Sequence, residues 1–253
     1  RAFGDETISY DRIETALSDY QLTFVLDDAP WFTFTAGDDA AISAQAKRGA
    51  VLFFSAREKG GAGCVTCHSG SFFTDEAFHV LAIPQIGRGK ARTEGGFKRG
   101  TVRDGTDKGR WEATRVSRFQ FAFRTPTLLN INVTGPYGHS GAYETLEEVV
   151  RHHLDPVDAI SRFDFSLGGL SQFRASGVRY DHAESATKAA LGVWQAGGGQ
   201  RIDLDDQAVA DLVAFLEALT DPCVASPACL APWLPDPTTP SPDGTRLNAK
   251  FTP

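Results

Sequence analysis

Cys64-Val65-Thr66-Cys67-His68 decides how this chain is read. Two thiols three positions apart, followed at once by an imidazole, form the attachment pattern of a c-type heme. The chemistry requires that spacing. The two thiols add to the two vinyl groups on one edge of the porphyrin, and the adjoining imidazole reaches the iron from the proximal face. The competing reading is half of a zinc site, which needs two more soft ligands at similar spacing. The remaining cysteines, Cys223 and Cys229, are far along the chain and have no neighbouring histidine. In an oxidising compartment that second pair suits a small disulfide.

Heme iron needs a second axial ligand or an open position. The chain contains no methionine, so that common ligand is excluded within it. The histidines are His68, His79, His139, His152, His153 and His182. Thr145-Leu146-Glu147-Glu148 reads as a capping box that starts a helix, and Asp155-Pro156 ends it after about Leu154. At about 100° per residue, Leu146, Val149, Val150 and His153 share one stripe, which places His153 on the buried face and His152 roughly 120° away. His153 is therefore the leading candidate for the second ligand. His139, a tyrosine (Tyr137 or Tyr143) and an open site are the alternatives. His79 is expected to hydrogen-bond near the heme edge, and His182 to lie at the surface.

Two further helices frame the motif. Asp39 to about Ala56 precedes it and carries Gly49 and Phe53; Gly60-Gly61-Ala62-Gly63 stops it. A closing helix starts near Asp205, with Val209, Leu212, Val213, Leu216 and Leu219 on one stripe, and ends at Asp221-Pro222. The pair resembles class I cytochromes c, and that resemblance implies that the first and last helices pack together with a small residue at the crossing. Residues 160–200 read as irregular. Residues 88–118 hold ten Lys/Arg against four Asp/Glu, without periodicity. They read as a surface excursion that could dock an acidic partner, contact heme propionates, or simply be solvated. Residues 235–253 read as an extended tail. The 253 residues have ordinary globular composition and a net charge of −7, which argues against nucleic acid as the main partner. No apolar run is long enough to span a membrane. A start at Arg1-Ala2-Phe3-Gly4-Asp5 is neither an initiator nor a signal peptide, which suggests a piece of a longer precursor or a processed chain.

Several blocks resemble the C-terminal heme domain of bacterial diheme cytochrome c peroxidases and MauG-type proteins. They are Leu52-Phe53-Phe54, His68-Ser69-Gly70, Phe73-Thr74-Asp75, Phe78-His79 and Ile83-Pro84-Gln85-Ile86-Gly87. Further along come Phe123-Arg124-Thr125-Pro126-Thr127-Leu128 with Asn130, Thr134-Gly135-Pro136-Tyr137-Gly138-His139-Ser140-Gly141, and Thr145-Leu146-Glu147-Glu148-Val149. The segment from Leu219 through Cys223 and Cys229 to Trp233 resembles one branch of that family. The resemblance implies two facing heme domains, one reacting with hydrogen peroxide and the other relaying electrons. It puts the distal ligand, usually methionine or, in MauG, tyrosine, at His153. It also implies a calcium ion between the domains, bound in part by the backbone carbonyls of Thr134 and Pro136.

This chain departs from that pattern in having a single CxxCH and a histidine at the ligand position. A histidine pair lowers the potential expected from methionine/histidine ligation. The expected architecture is an all-α, cytochrome c-like heme domain with long loops and a few short strands. Residues 1–38 form a lead-in packing on the heme domain, 39–222 the domain itself, and 223–253 an extension and tail. The expected role is the electron-transferring half of a periplasmic diheme peroxidase with one heme c on Cys64, Cys67, His68 and His153. Its partners would be a second heme domain, a small electron-donor protein and hydrogen peroxide. A MauG-like oxidase, a non-enzymatic monoheme carrier and an open-site peroxidase are the rivals.

Overall fold

The structure, a computed structural model, describes residues 3–86, 106–174 and 181–234. Helices α1 (Tyr10–Leu22), α2 (Pro30–Thr35) and α3 (Ala44–Phe54) precede the cysteine motif. Strand β1 (Phe78–Val80), the short α4 (Trp111–Thr114) and strand β2 (Ala122–Arg124) follow it. The chain then continues through α5 (Leu146–Leu154), α6 (Pro156–Arg162), α7 (Ser171–Arg174), α8 (Ala183–Ala196), α9 (Asp206–Glu217) and α10 (Pro227–Leu230). The molecule is mainly helical with a small antiparallel sheet, in which Phe78 pairs with Arg124, His79 with Phe123 and Val80 with Ala122. Most of the basic excursion (residues 87–105) and the tail (235–253) lie outside the described residues.

α3 and α9 form the central pair. Ser43 caps α3 by accepting from the Ala46 amide at 3.0 Å, and Asp205 caps α9 by accepting from the Ala208 amide at 2.8 Å. α3 starts later than expected because Asp38 accepts the Ala40 amide at 2.9 Å, which makes a turn before Ser43 can cap. Gly49 lies at the crossing: a Cβ there would stand 1.8 Å from the Asp211 carbonyl oxygen. Beside it Arg48 clamps Asp211 through two bonds of 2.7 and 2.8 Å. Below the crossing Phe53 meets Phe215 at 5.0 Å between centroids, and Trp31 of α2 meets the same ring edge-on at 5.0 Å. The stripe expected for the last helix is the buried one, with Val209, Leu212, Leu216 and Leu219 in the core and Val213 half-buried.

The described residues between 160 and 200 are not irregular. They contain α8, which buries Ala183, Ala186, Thr187 and Ala190 at helical spacing. Small residues make that stripe, so hydrophobicity barely marks it, and the neighbouring glycines dominate the reading. α1 buries no residue. Its end is tied to the C-terminal extension, where Tyr20 Oη donates to the Trp233 carbonyl at 2.7 Å and Trp233 Nε1 donates to the Thr23 carbonyl at 2.9 Å. Cys223 and Cys229 are joined in a disulfide. Among the described residues no helix is long and apolar enough to cross a membrane.

Candidate heme-binding site

The chain leaves α3 through a turn that delivers the motif. The amides of Ala62 and Gly63 donate to the Leu52 and Ser55 carbonyls at 2.8 and 3.0 Å. Gly61 has to be glycine there, since a Cβ would stand 2.1 Å from the Ser55 carbonyl oxygen. Cys64–Thr66 then forms one tight helical turn. The amides of Cys67 and His68 both donate to the Cys64 carbonyl, at 3.2 and 2.9 Å. Both thiols are free and half-buried. Burial pushes Cys64 up to about 12 and Cys67 upward, so neither is a thiolate at neutral pH.

His68 Nδ1 donates to the Phe73 carbonyl at 3.0 Å. Phe73 holds a left-handed backbone (φ 51) while its ring is buried beside Phe53 and Phe215. That conformation costs a bulky residue on the order of 1–2 kcal/mol, and aromatic packing offsets it. His153 Nδ1 donates to the Val149 carbonyl at 2.7 Å. A carbonyl can only accept, so each ring carries its proton on Nδ1 and presents an Nε2 lone pair. Neither Nε2 has a hydrogen-bond partner among the described residues. Tying one ring nitrogen to a carbonyl is the usual orientation device for a metal-ligating histidine.

Both rings are held neutral. Burial, helped by the positive charge His153 could carry, pushes His68 down to about 4 against the opposing bond to the Phe73 carbonyl. Burial also lowers His153. Cys64, Cys67, His68 and His153 are each partly accessible, although neighbours crowd them closely enough to shift their proton affinities. The donor set fits a covalent heme: two neutral thiols on one turn and two neutral imidazoles whose Nε2 atoms are free. It fits zinc poorly, because the disulfide removes Cys223 and Cys229 as ligands.

The helical wheel misplaces His152. Its side chain does not face away from the core but is fully buried, at 0% exposure. α5 is covered on more than one side, and polar partners receive His152 where the wheel has no apolar stripe. Tyr143 Oη lies 2.7 Å from Nδ1, and the Leu81 carbonyl 2.8 Å from Nε2. That commits one of the two candidate tyrosines. The other, Tyr137, donates to the Asn132 carbonyl at 3.3 Å. His139 is exposed but stacks on Phe123 at 3.5 Å between ring centroids, and the neighbours crowding its ring lower it to about 4. His182 stands half-buried at the start of α8.

Two arrangements were not readable in the sequence. His79 Nε2 meets Asp75 Oδ2 at 2.8 Å, and the Asp75 amide donates to the Cys67 carbonyl at 2.8 Å, so His79 is coupled to the motif through Asp75. The partners are local, but nothing in the residue pattern marks the pairing. Gln85, buried at 1% exposure, clamps the Asp107 backbone at both ends of its amide, 2.6 and 3.0 Å. Its own amide donates to Thr187 Oγ1 at 2.9 Å. Those partners are far apart in sequence. Thr134 and Pro136 lie on an exposed turn. Among the described residues, the one cluster of three acidic, histidine or cysteine ligands is Cys67, Asp75 and His79.

No protein-family model matches the chain. The chain is 36% identical over 168 residues to the methylamine utilization protein MauG of Methylophilus methylotrophus, covering 66% of this chain and 43% of that protein. It is 36% identical over 163 residues to the cytochrome-c peroxidase IdrP1 of Denitromonas iodatirespirans, covering 58% and 42%. It is 29% identical over 143 residues to the cytochrome c551 peroxidase of Pseudomonas aeruginosa, covering 56% and 36%. Among solved structures it resembles a MauG-like protein associated with microbial copper homeostasis, with TM-score 0.54 and 27% identity over 90% of this chain and 59% of that one. The chain thus spans less than half the length of these curated relatives.

Proposed function

From its homology to MauG and the bacterial cytochrome c peroxidases, we propose that this chain is the electron-transferring half of a periplasmic diheme peroxidase-type oxidoreductase. One heme c joins it through Cys64 and Cys67, with His68 and His153 as axial ligands. When bound, the heme supplies the one-electron chemistry. The chain's own residues bind, orient and shield it.

The observation that carries this reading is the matched pair of imidazoles. His68 and His153 come from distant segments. Each has Nδ1 tied to a carbonyl, at 3.0 and 2.7 Å, and Nε2 free. Low proton affinity keeps both lone pairs available. With both imidazoles on the iron, no position would remain for peroxide, which suits relay and not peroxide cleavage. The peroxide-reducing heme then belongs to a second heme domain. A small electron-donor protein feeds this one, and hydrogen peroxide is the substrate of the whole enzyme. Thr134 and Pro136 would offer a calcium ion their carbonyl oxygens, and its remaining ligands would come from that second domain. A MauG-like oxidase of a protein substrate is the second reading, supported by the 36% identity to MauG. The hydrogen bonds of Tyr137 and Tyr143 speak against tyrosine ligation of that kind.

Mixing the ferric, heme-loaded chain with hydrogen peroxide tests the relay reading. The expected result is an unchanged spectrum together with ready reduction by a small reductant. A rapid spectral change and peroxide turnover by this chain alone would overturn it.

A further inference from the structure

The segment around α4 concentrates positive charge on a chain whose net charge is −7. Arg110, Arg115 and Arg118 are exposed there. They are not loosely solvated. Arg110 sits over Phe78 at 4.0 Å and reaches Phe119 at 5.4 Å, Arg115 sits over Trp111 at 4.2 Å, and Arg118 over Phe119 at 4.8 Å. Stacking on aromatic faces fixes a guanidinium without neutralising it and leaves its edge donors available. Among the described residues only Arg115 has a carboxylate partner in this lobe, Glu112 at 3.4 Å. Val116 is exposed between them. The lobe is thus a small apolar platform rimmed by three positioned cations.

Its place in the fold gives it a role. Phe78, under Arg110, lies on β1, and the next residue, His79, points to the other face of the strand. On that other face His79 bonds Asp75, whose amide bonds the Cys67 carbonyl. The cross-strand neighbour of His79 is Phe123, whose ring stacks on His139. One two-stranded sheet therefore separates the basic lobe from the cysteine motif.

We propose that the Arg110–Arg115–Arg118 lobe is the docking surface for an acidic redox protein that exchanges electrons with the heme bound at Cys64 and Cys67. This rests on the relay reading above and adds the place of docking and the charge of the partner. The chain's overall negative charge repels an acidic partner elsewhere, so this lobe selects the productive orientation. Such patches act on encounter rate and register.

The test uses the heme-loaded chain, with acidic flavodoxin hydroquinone as the probe and neutral lumiflavin semiquinone as a control reductant. The variants are R110E/R115E/R118E and the milder R115E/R118E, which leaves the Arg110 stack on Phe78 in place. At about 0.01 M salt, where charges are felt over about 30 Å, flavodoxin should reduce the triple variant at least about tenfold more slowly than wild type. The double variant should fall between. The gap should close near 1 M salt, and lumiflavin rates should stay equal. Oxidised flavodoxin should likewise bind wild type and lose binding to the variants. Equal flavodoxin rates and binding in wild type and the double variant would overturn the proposal, as would binding to anionic-lipid vesicles with no change in flavodoxin rate. A heme that lumiflavin cannot reduce in wild type would instead overturn the relay reading, and charge-dependent flavodoxin binding would still report on the lobe.

Discussion

Tyr143 donates its hydroxyl to His152 Nδ1 across 2.7 Å in the interior, because the Leu81 carbonyl, 2.8 Å from Nε2, can only accept. His152 therefore bridges the loop before α5 and the segment after β1. It fixes the rotation of α5, and with it the direction in which His153 leaves the helix.

Removing that bridge should destabilise the protein. His152→Ala deletes a buried ring and two hydrogen bonds, an expected cost of about 2–4 kcal/mol. Tyr143→Phe leaves His152 Nδ1 unpaired and should cost about 1–3 kcal/mol. Denaturant melts of the heme-loaded chain measure both. Losses under about 0.5 kcal/mol in both variants would show that the bridge does not hold α5.

Acid should unfold the chain earlier than its carboxylates alone would require. His152 is lowered by burial from 6.5 to about 3, so the unfolded state binds a proton in this interval and the native state does not. Its contribution is complete above 6.5 and is lost as pH falls towards 3. The expected slope is about 1.4 kcal/mol per pH unit from this one ring. Stability measured at pH 7, 6, 5 and 4 gives the slope, and His152→Gln should reduce it by the share of this one ring. A profile flat from pH 7 to 4 in wild type would contradict the shift.

Gly49→Ala should force α3 and α9 apart. The added methyl would stand 1.8 Å from a backbone oxygen, which cannot rotate away as a side chain could. The expected loss is about 2–3 kcal/mol, read as a fall in Tm. Gly192→Ala is the control, because a Cβ there meets nothing within 4 Å. Equal Tm values for the two variants would remove the crossing from the account.

Cys64→Ala and Cys67→Ala should each leave a single thioether link, and the double variant none. Mass spectrometry of denatured protein and acid-acetone extraction measure this directly. Heme mass retained on the denatured double variant would mean attachment elsewhere.

The sequence carried the framework unevenly, for physical reasons. The capping box at Thr145 and Glu148 and the stripe on α9 are local patterns, and both stand in the structure. Gly49 was expected at the crossing from the resemblance to class I cytochromes c, and the structure puts it against the Asp211 carbonyl. α8 was hidden because its buried face is alanine and threonine. His152 was misread because a helical wheel sees apolar neighbours and cannot see a tyrosine hydroxyl and a carbonyl arriving from other segments. His153 was placed on the buried face by its stripe; the structure leaves it half-buried, with its ring tied to a carbonyl of its own helix.

The most direct test of the account is the low-temperature EPR and optical spectrum of the ferric chain beside those of His153→Ala. Wild type should show one covalent, low-spin heme with two imidazole ligands, and His153→Ala should turn high-spin or water-ligated. A low-spin spectrum that survives the loss of His153 would contradict the account, because the iron would then be held by some other residue.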